Sequence, residues 1–289
     1  MKPFAEAIKS GRILISDGAM GTQLSARGGV PGPVSNLEFP DLVRAVHAEY
    51  AAAAADIILT NTLTANRIYL EHAGMADKTR QINAEGVRLC REAVGDACYI
   101  AGDMCSTGQF LEPLGEYTEE QFHETFAEQA RILAECGVDC IIIETMTDVR
   151  ETCVAIRSAR QAAGLPVIAS IAFDPVGDSF RTMMGDTVER AALELAAAGA
   201  DVIGANCGTI DPVEMSRLIG QMRQVSDAIL IAQPNAGKPE LSEGQVTFRL
   251  TPIEFADGVM KCIEAGATVV GGCCGTTPAH ISELVKRAK

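Results

Sequence analysis

Residues 134–148, Ala-Glu-Cys-Gly-Val-Asp-Cys-Ile-Ile-Ile-Glu-Thr-Met-Thr-Asp, pass from the end of one helix through a strand to the start of the next. Gly137 supplies the left-handed residue that ends a helix, Val138 to Glu144 is an apolar, β-branched run, and Thr147-Asp148 offers a helix cap. The same order recurs in 161–170 (QAAGLPVIAS), 196–205 (AAAGADVIGA) and 263–272 (IEAGATVVGG). Helix starts of the cap-then-acid type recur too, at Thr118-Glu119-Glu120, Asp211-Pro212-Val213-Glu214 and Thr251-Pro252-Ile253-Glu254, and Thr277-Pro278 repeats the theme. The segment is therefore one unit of a repeating strand and helix pattern.

Eight such runs are present: Arg12 to Ser16, Asp56 to Thr60, Cys98 to Gly102, Val138 to Glu144, Pro166 to Ala172, Asp201 to Ala205, Ala228 to Ala232 and Thr268 to Gly272. The first and last start about 256 residues apart over seven steps, roughly 37 residues per unit, which suits a strand, a helix and two loops. No linker-like composition interrupts the series. The pattern predicts a single-domain (β/α)8 TIM barrel over residues 1–289. An open doubly wound sheet would want a dinucleotide fingerprint after its first strand, and GxGxxG is absent there.

Composition bounds the function. The 289 residues are 47% hydrophobic and carry 24 Lys plus Arg against 38 Asp plus Glu, a net charge of -14. That balance repels phosphate backbones and anionic lipid, so neither nucleic acid nor a membrane is the expected partner. No apolar run approaches a membrane span and MKPFAEAIKSGR lacks the apolar core of a secretion signal, so a cytoplasmic location is expected. In a reducing compartment the ten cysteines are packing groups, metal ligands or reactive thiols rather than disulfides.

Barrel chemistry sits where strands end, so those places narrow the search. They hold Asp17-Gly18-Ala19-Met20-Gly21-Thr22, Thr60-Asn61-Thr62, Asp103-Met104-Cys105-Ser106-Thr107-Gly108, Glu144-Thr145, Phe173-Asp174-Pro175, Asn206-Cys207-Gly208, Pro234-Asn235-Ala236-Gly237 and Gly271-Gly272-Cys273-Cys274-Gly275-Thr276-Thr277. Cys207, Cys273 and Cys274 follow the sixth and eighth runs, close together across the barrel mouth. In the frame Gly-Gly-Cys-Cys-Gly the backbone can bend both sulfurs toward one point. Three convergent thiolates at an open cleft suit a zinc ion with one position left for a ligand, whereas a vicinal Cys273-Cys274 redox pair is the plainer alternative. Cys90, Cys136, Cys153 and Cys262 fall in helices and Cys98 and Cys140 in or beside strands, where packing is expected. Cys105 is left open. None of His47, His72, His123 and His280 falls at a strand end, and each is expected on a helix surface.

Zinc held by three thiolates is a weak hydrolytic centre. It lowers the pKa of a further thiol, which suits alkyl transfer to sulfur.

Asp-Gly-Ala-Met-Gly-Thr at 17–22, Asn61-Thr62, Glu144-Thr145, Asn206-Cys207 and Gly-Gly-Cys-Cys-Gly-Thr-Thr-Pro at 271–278 together resemble the zinc-dependent homocysteine S-methyltransferase family, over essentially the whole chain. Leu111-Glu112-Pro113-Leu114-Gly115, Glu144 to Asp148 and Pro234 to Pro239 look most like the homocysteine-binding module of cobalamin-dependent methionine synthase, here as a stand-alone chain. The resemblance implies that Cys207, Cys273 and Cys274 ligate Zn2+, with Asn235 able to fill the fourth position. The turn of Gly18, Ala19, Gly21 and Thr22 would receive the amino acid's carboxylate, and Asp17 and Glu144 would hold its ammonium. Asp17-Gly18 read without the resemblance is also an ordinary turn, and Glu144 could pair with Arg150.

With no segment able to hold a corrinoid, the implied methyl donor is a methyl-corrinoid protein separate from this chain, or else a small onium compound such as S-methylmethionine or betaine. Homocysteine would bind with its sulfur on zinc, lose its proton to solvent and attack the methyl group, giving methionine with no dedicated general base. A different thiol acceptor is the alternative, and Met104-Cys105-Ser106-Thr107-Gly108 departs from the Ile-Gly-Pro-Thr-Gly usual in relatives. Rivals from other classes are weaker. A Schiff-base aldolase would have only Lys238 to use, a phosphate site at Gly271-Gly272 leaves the double cysteine unexplained, and a zinc-stabilised partner protein would show no response to thiols.

Overall fold

The computed structural model describes residues 1–242 and 245–289. All eight expected runs are strands of one parallel sheet: β1 (Leu14–Ile15), β2 (Ile57–Leu59), β3 (Tyr99–Met104), β4 (Cys140–Met146), β5 (Val167–Ile171), β8 (Val202–Asn206), β9 (Ile229–Gln233) and β12 (Ala267–Val270). The spatial order β1-β12-β9-β8-β5-β4-β3-β2 closes through a parallel bridge between Ser16 and Ile57, giving the (β/α)8 barrel. The glycine stops behave as expected: Gly137, Gly164, Gly199 and Gly266 all have left-handed φ, between 65° and 112°.

Alternation along each strand divides the core in two. Leu14, Ile57, Tyr99, Ala101, Cys140, Ile142, Ile168, Val202, Ile231 and Val269 fill the barrel interior, and Phe4, Ala7 and Ile8 of the N-terminal helical turn join that cluster. Their neighbours Ile15, Ile58, Ile100, Ile141, Ile143 and Ile203 face the helices in a larger cluster. Burial on both faces is why these strands read as unbroken apolar runs.

Helix starts match as well. Thr118, Asp211 and Thr251 form capping boxes with Gln121, Glu214 and Glu254, while the helix Val149–Ala163 is capped by Asp148 rather than Thr147. Two features differ from expectation. Antiparallel hairpins, β6 (Asp174–Val176) with β7 (Ser179–Arg181) and β10 (Glu240–Ser242) with β11 (Gln245–Thr247), extend the loops after β5 and β9. The histidines are not all on helix surfaces either. His47 is fully buried with neither ring nitrogen bonded, and burial depresses its pKa to about 3. His280 is also buried and bonds Thr277 and the Leu250 carbonyl.

Candidate functional site

The strand ends enclose a cavity of about 580 Å3, lined by Asp17 to Thr22, Asp103, Glu144, Thr145, Cys207 and Gly272 to Cys274 among others. Two of its walls carry the chemistry.

Cys207 follows β8, and Cys273 and Cys274 follow β12. Their sulfurs all lie within 4.8 Å of one another, with Cys207 Sγ and Cys274 Sγ 3.9 Å apart. The backbone is shaped for this. A Cβ on Gly271 would lie 1.9 Å from Ser16 Oγ, and Gly275 turns the chain at φ +77°. Cys207 itself sits at φ +56°, a conformation of appreciable strain for a residue with a Cβ. The crowding shows in the electrostatics of the metal-free cluster. Hydrogen bonds from Cys207 and Cys273 pull Cys274 down to about 4, while Cys207, lowered by Cys273 but raised more by Cys274 and burial, reaches about 12. Its neighbours Cys207 and Cys274, together with burial, push Cys273 up. The three thiols thus share their protons unequally, with Cys274 the one most readily ionised.

Asn235 lies beside the pair, because the Cys273 amide donates to the Pro234 carbonyl and the Ala236 amide to the Cys274 carbonyl, both at 2.9 Å. Its Nδ2 donates to the Gly208 carbonyl at 2.9 Å, and its buried Oδ1 has no partner. Three soft sulfurs and an orphaned amide oxygen fit a zinc-type ion well. Cys105 is not in this cluster: it is buried in the strand–helix core, its amide bonded to the Leu63 carbonyl. Six other cysteines behave as packing groups, with Cys136 at a helix end and only partly buried.

The second wall is acidic. Asp17, Asp103 and Glu144 are 3%, 5% and 8% exposed and all border the cavity. Asp17 Oδ2 accepts from the Leu59 amide at 3.0 Å, whereas Asp103 Oδ1 has no partner. Glu144 does not pair with Arg150, which bonds Glu119 instead. Burial raises all three carboxyls above their usual range, Glu144 to about 8 with the Cys207 charge adding to it; Asp17 and Asp103 are further raised by Glu144. No basic side chain borders this cavity among the described residues, so a cation entering it would find three acceptors and no competitor.

Supporting contacts join the walls. Thr276 Oγ1 accepts from the Ala19 amide at 3.0 Å and donates to the Cys273 carbonyl at 2.7 Å, and Tyr50 Oη donates to the Ala19 carbonyl at 2.9 Å. The Ala19 amide is therefore already used. Gly21 and Thr22, which open the helix Gly21–Ala26, remain at the cavity wall. Asn61 is scaffold: its Nδ2 donates to Asn36 Oδ1 and to the Gly32 carbonyl, tying the first two loops together. In the departing loop after β3, Ser106 and Thr107 are both held by the buried carboxylate of Glu151.

The sequence reading missed Asp103, an acid at a strand end whose letter looks like any turn aspartate, and the supporting role of Asn206. It had also left rivals that the geometry weakens. Lys238 is paired with Glu214 at 2.7 Å, and the Gly271 and Gly272 amides donate to the Ala232 and Asp17 carbonyls, leaving no phosphate cradle there.

The chain is similar to known proteins in sequence and in fold. The model of the family described as homocysteine S-methyltransferase matches residues 14–288. The chain is 32% identical over 298 residues to the methionine synthase of Mycobacterium tuberculosis, covering 96% of itself and 25% of that protein. It is 30% identical over 306 residues to betaine–homocysteine S-methyltransferase 1 of Danio rerio, covering 97% of itself and 74% of that protein. It thus spans about a quarter of the length of the mycobacterial relative. Among solved structures, the metallated form of the homocysteine methyltransferase MmuM from Escherichia coli matches with a TM-score of 0.78 at 23% identity, covering 99% of this chain and all of that one, a likeness of fold. Among the described residues no helix is long and apolar enough to cross a membrane. Barrel, matched span and relatives converge: the chain belongs to the homocysteine S-methyltransferase family.

Proposed function

We propose that this protein, as one homocysteine-binding barrel domain over residues 1–289, moves a methyl group to the thiol of homocysteine, forming methionine with zinc as its metal. The observation that carries this reading is the placement of a three-thiol cluster and three unpaired acids on walls of one cavity. Zinc, when bound by Cys207, Cys273 and Cys274, supplies a lowered thiol pKa. Asn235 stands ready as a fourth donor when no thiol is present, which accounts for its orphaned oxygen. The protein's other residues bind and orient. Glu144, Asp17 and the added Asp103 accept from the amino acid's ammonium group, and the Gly18 to Thr22 turn, through Gly21 and Thr22 rather than the Ala19 amide, receives its carboxylate. Fixing both ends of a small amino acid holds its sulfur at the thiol wall, so alignment with the incoming methyl group contributes the rate.

The donor we favour is a methyl-corrinoid protein separate from this chain. Exposed apolar side chains support it: Val30, Phe110, Leu114, Val176, Met183 and Leu241, on segments between a barrel strand and the helix that returns from it, are 45% to 79% exposed. Apolar side chains left exposed on those segments suit contact with a protein better than they suit a small onium donor. S-methylmethionine or betaine is the second reading, favoured by the 74% coverage of the betaine-dependent relative.

The test is a donor screen with zinc-loaded protein and homocysteine, supplying a methyl-corrinoid protein, S-methylmethionine, betaine and related sulfonium compounds, with methionine as readout. Turnover is expected with the methyl-corrinoid protein. Turnover only with a small onium donor would replace the donor assignment, and turnover only with another thiol would replace the acceptor.

A further inference from the structure

The buried side chain of Asn206 uses every hydrogen-bonding valence it has. Oδ1 accepts from the Thr145 amide at 2.8 Å and from the Ser170 hydroxyl, while Nδ2 donates to Thr145 Oγ1 at 2.7 Å and lies 3.8 Å from Cys273 Sγ. Because the Thr145 amide can only donate, a flipped carboxamide would set N–H against N–H, so the second Nδ2 proton must point at the sulfur. The clamp also explains why Thr145 tolerates φ +57° at the end of β4. No other side-chain amide reaches a cluster sulfur among the described residues.

This arrangement matters because all three cysteine sulfurs line the cavity that the methyl donor enters. The donor therefore meets ligand thiolates as well as the substrate thiol. Methylation of Cys273 would form an Sγ–C bond, break the donor–methyl bond with its electron pair leaving on the donor, and turn an anionic metal ligand into a neutral thioether. An N–H bonded to a thiolate lone pair withdraws charge and is stronger than a neutral hydrogen bond. We propose that Asn206 is a positioning residue that lowers the nucleophilicity of the Cys273 sulfur, directing the methyl group to the substrate. The inference rests on the metal-thiolate reading above.

The test uses the zinc-loaded full chain without thiol substrate, treated with limiting methyl iodide, whose C–I bond breaks as iodide leaves. Peptide mass spectrometry then reads methylation at each cysteine, with Cys207 as internal standard. Asn206→Asp keeps an oxygen for the Thr145 amide and can accept from the Thr145 hydroxyl, while it exchanges the N–H toward sulfur for a carboxylate oxygen that cannot donate. The Cys273 to Cys207 ratio should rise about tenfold, the rate equivalent of one such bond. Thr145→Val removes a clamp bond but keeps the N–H on sulfur, and its ratio should stay within twofold of the parent. No change in the aspartate variant, or an equal rise in both, would overturn the proposal.

Should the aspartate variant fail to fold, the parent protein loaded with cadmium-113 and labelled with nitrogen-15 asparagine gives a second reading. A scalar coupling between the Asn206 amide proton and the metal through sulfur is expected, and its absence would overturn the proposal. Metal content is measured first. A parent protein that takes up no metal defeats the metal-thiolate reading, whereas one metal per chain with an unchanged ratio defeats only the role of Asn206.

Discussion

Cys207, Cys273 and Cys274 form one wall of the cavity and Asp17, Asp103 and Glu144 another, and the two are held in opposite ways. The sulfurs bond one another, and Cys273 also meets the Asn206 amide, on backbone forced into place by Gly271, Gly275 and a left-handed Cys207. The acids come from the ends of β1, β3 and β4 and make few hydrogen bonds; burial raises the pKa of each, and Glu144 raises those of Asp17 and Asp103 further. The sulfur wall offers three donors close enough to hold one metal ion. The acid wall is left without a counter-charge, which suits one that arrives with the ligand and leaves with the product.

Substitutions should separate the walls. Cys207→Ser or Cys273→Ser should reduce bound zinc to well below one per chain and methionine formation by about a thousandfold or more, checked by metal analysis and turnover. Full zinc and full turnover in either would remove the sulfur wall from the account.

The acid wall predicts a pH effect of definite sign. In the metal-free, unliganded protein burial holds Glu144 at about 8, so the folded chain keeps a proton that the unfolded chain releases near 4.5. Stability from this group is present below the unfolded value and lost as pH rises from about 4.5 through 8, by at most about 5 kcal/mol. Denaturant titrations across that window should show the decline, and Glu144→Gln should make it shallower, with Asp17 and Asp103 still contributing in the same direction. An unchanged slope in the variant would mean that Glu144 is not the buried acid responsible.

Glu144→Gln should also raise the KM for homocysteine about 30-fold while zinc stays near one per chain, and Asp103→Asn about tenfold. Loss of zinc in either variant would mean that the walls are not separable. The smallest expected effect is at their junction. Thr276→Val removes the bonds to the Ala19 amide and the Cys273 carbonyl, and should lower Tm by about 2–4 °C without changing metal content, as scanning calorimetry would show.

The two walls also differ in how visible they were before any coordinates. Two adjacent cysteines framed by glycines at a strand end are rare enough to single out, and the eightfold strand pattern set Cys207 beside them at the barrel mouth. Asp103 was passed over because one buried acid looks like one surface acid until neighbours from other strands are placed beside it. The eight strands were legible because each is buried on both faces and four of them follow a glycine stop. The short strands β6 with β7 and β10 with β11 were not, since three-residue strands are too short to show alternation. His47 was misplaced although Val43, Val46, His47 and Tyr50 keep strict helical spacing on a buried face. There the polar letter had outweighed the pattern.

The central claim is that one cavity grips a small amino acid at two points, a metal-bearing thiol wall and an acid wall. Calorimetric titration of the zinc-loaded and zinc-stripped protein with homocysteine and with 4-mercaptobutanoate, which lacks the ammonium group, tests it directly. The account predicts at least about 30-fold tighter binding of homocysteine to the zinc-loaded protein and marked weakening of both ligands once zinc is removed. Equal affinity for the two thiols, or affinities indifferent to zinc, would contradict it.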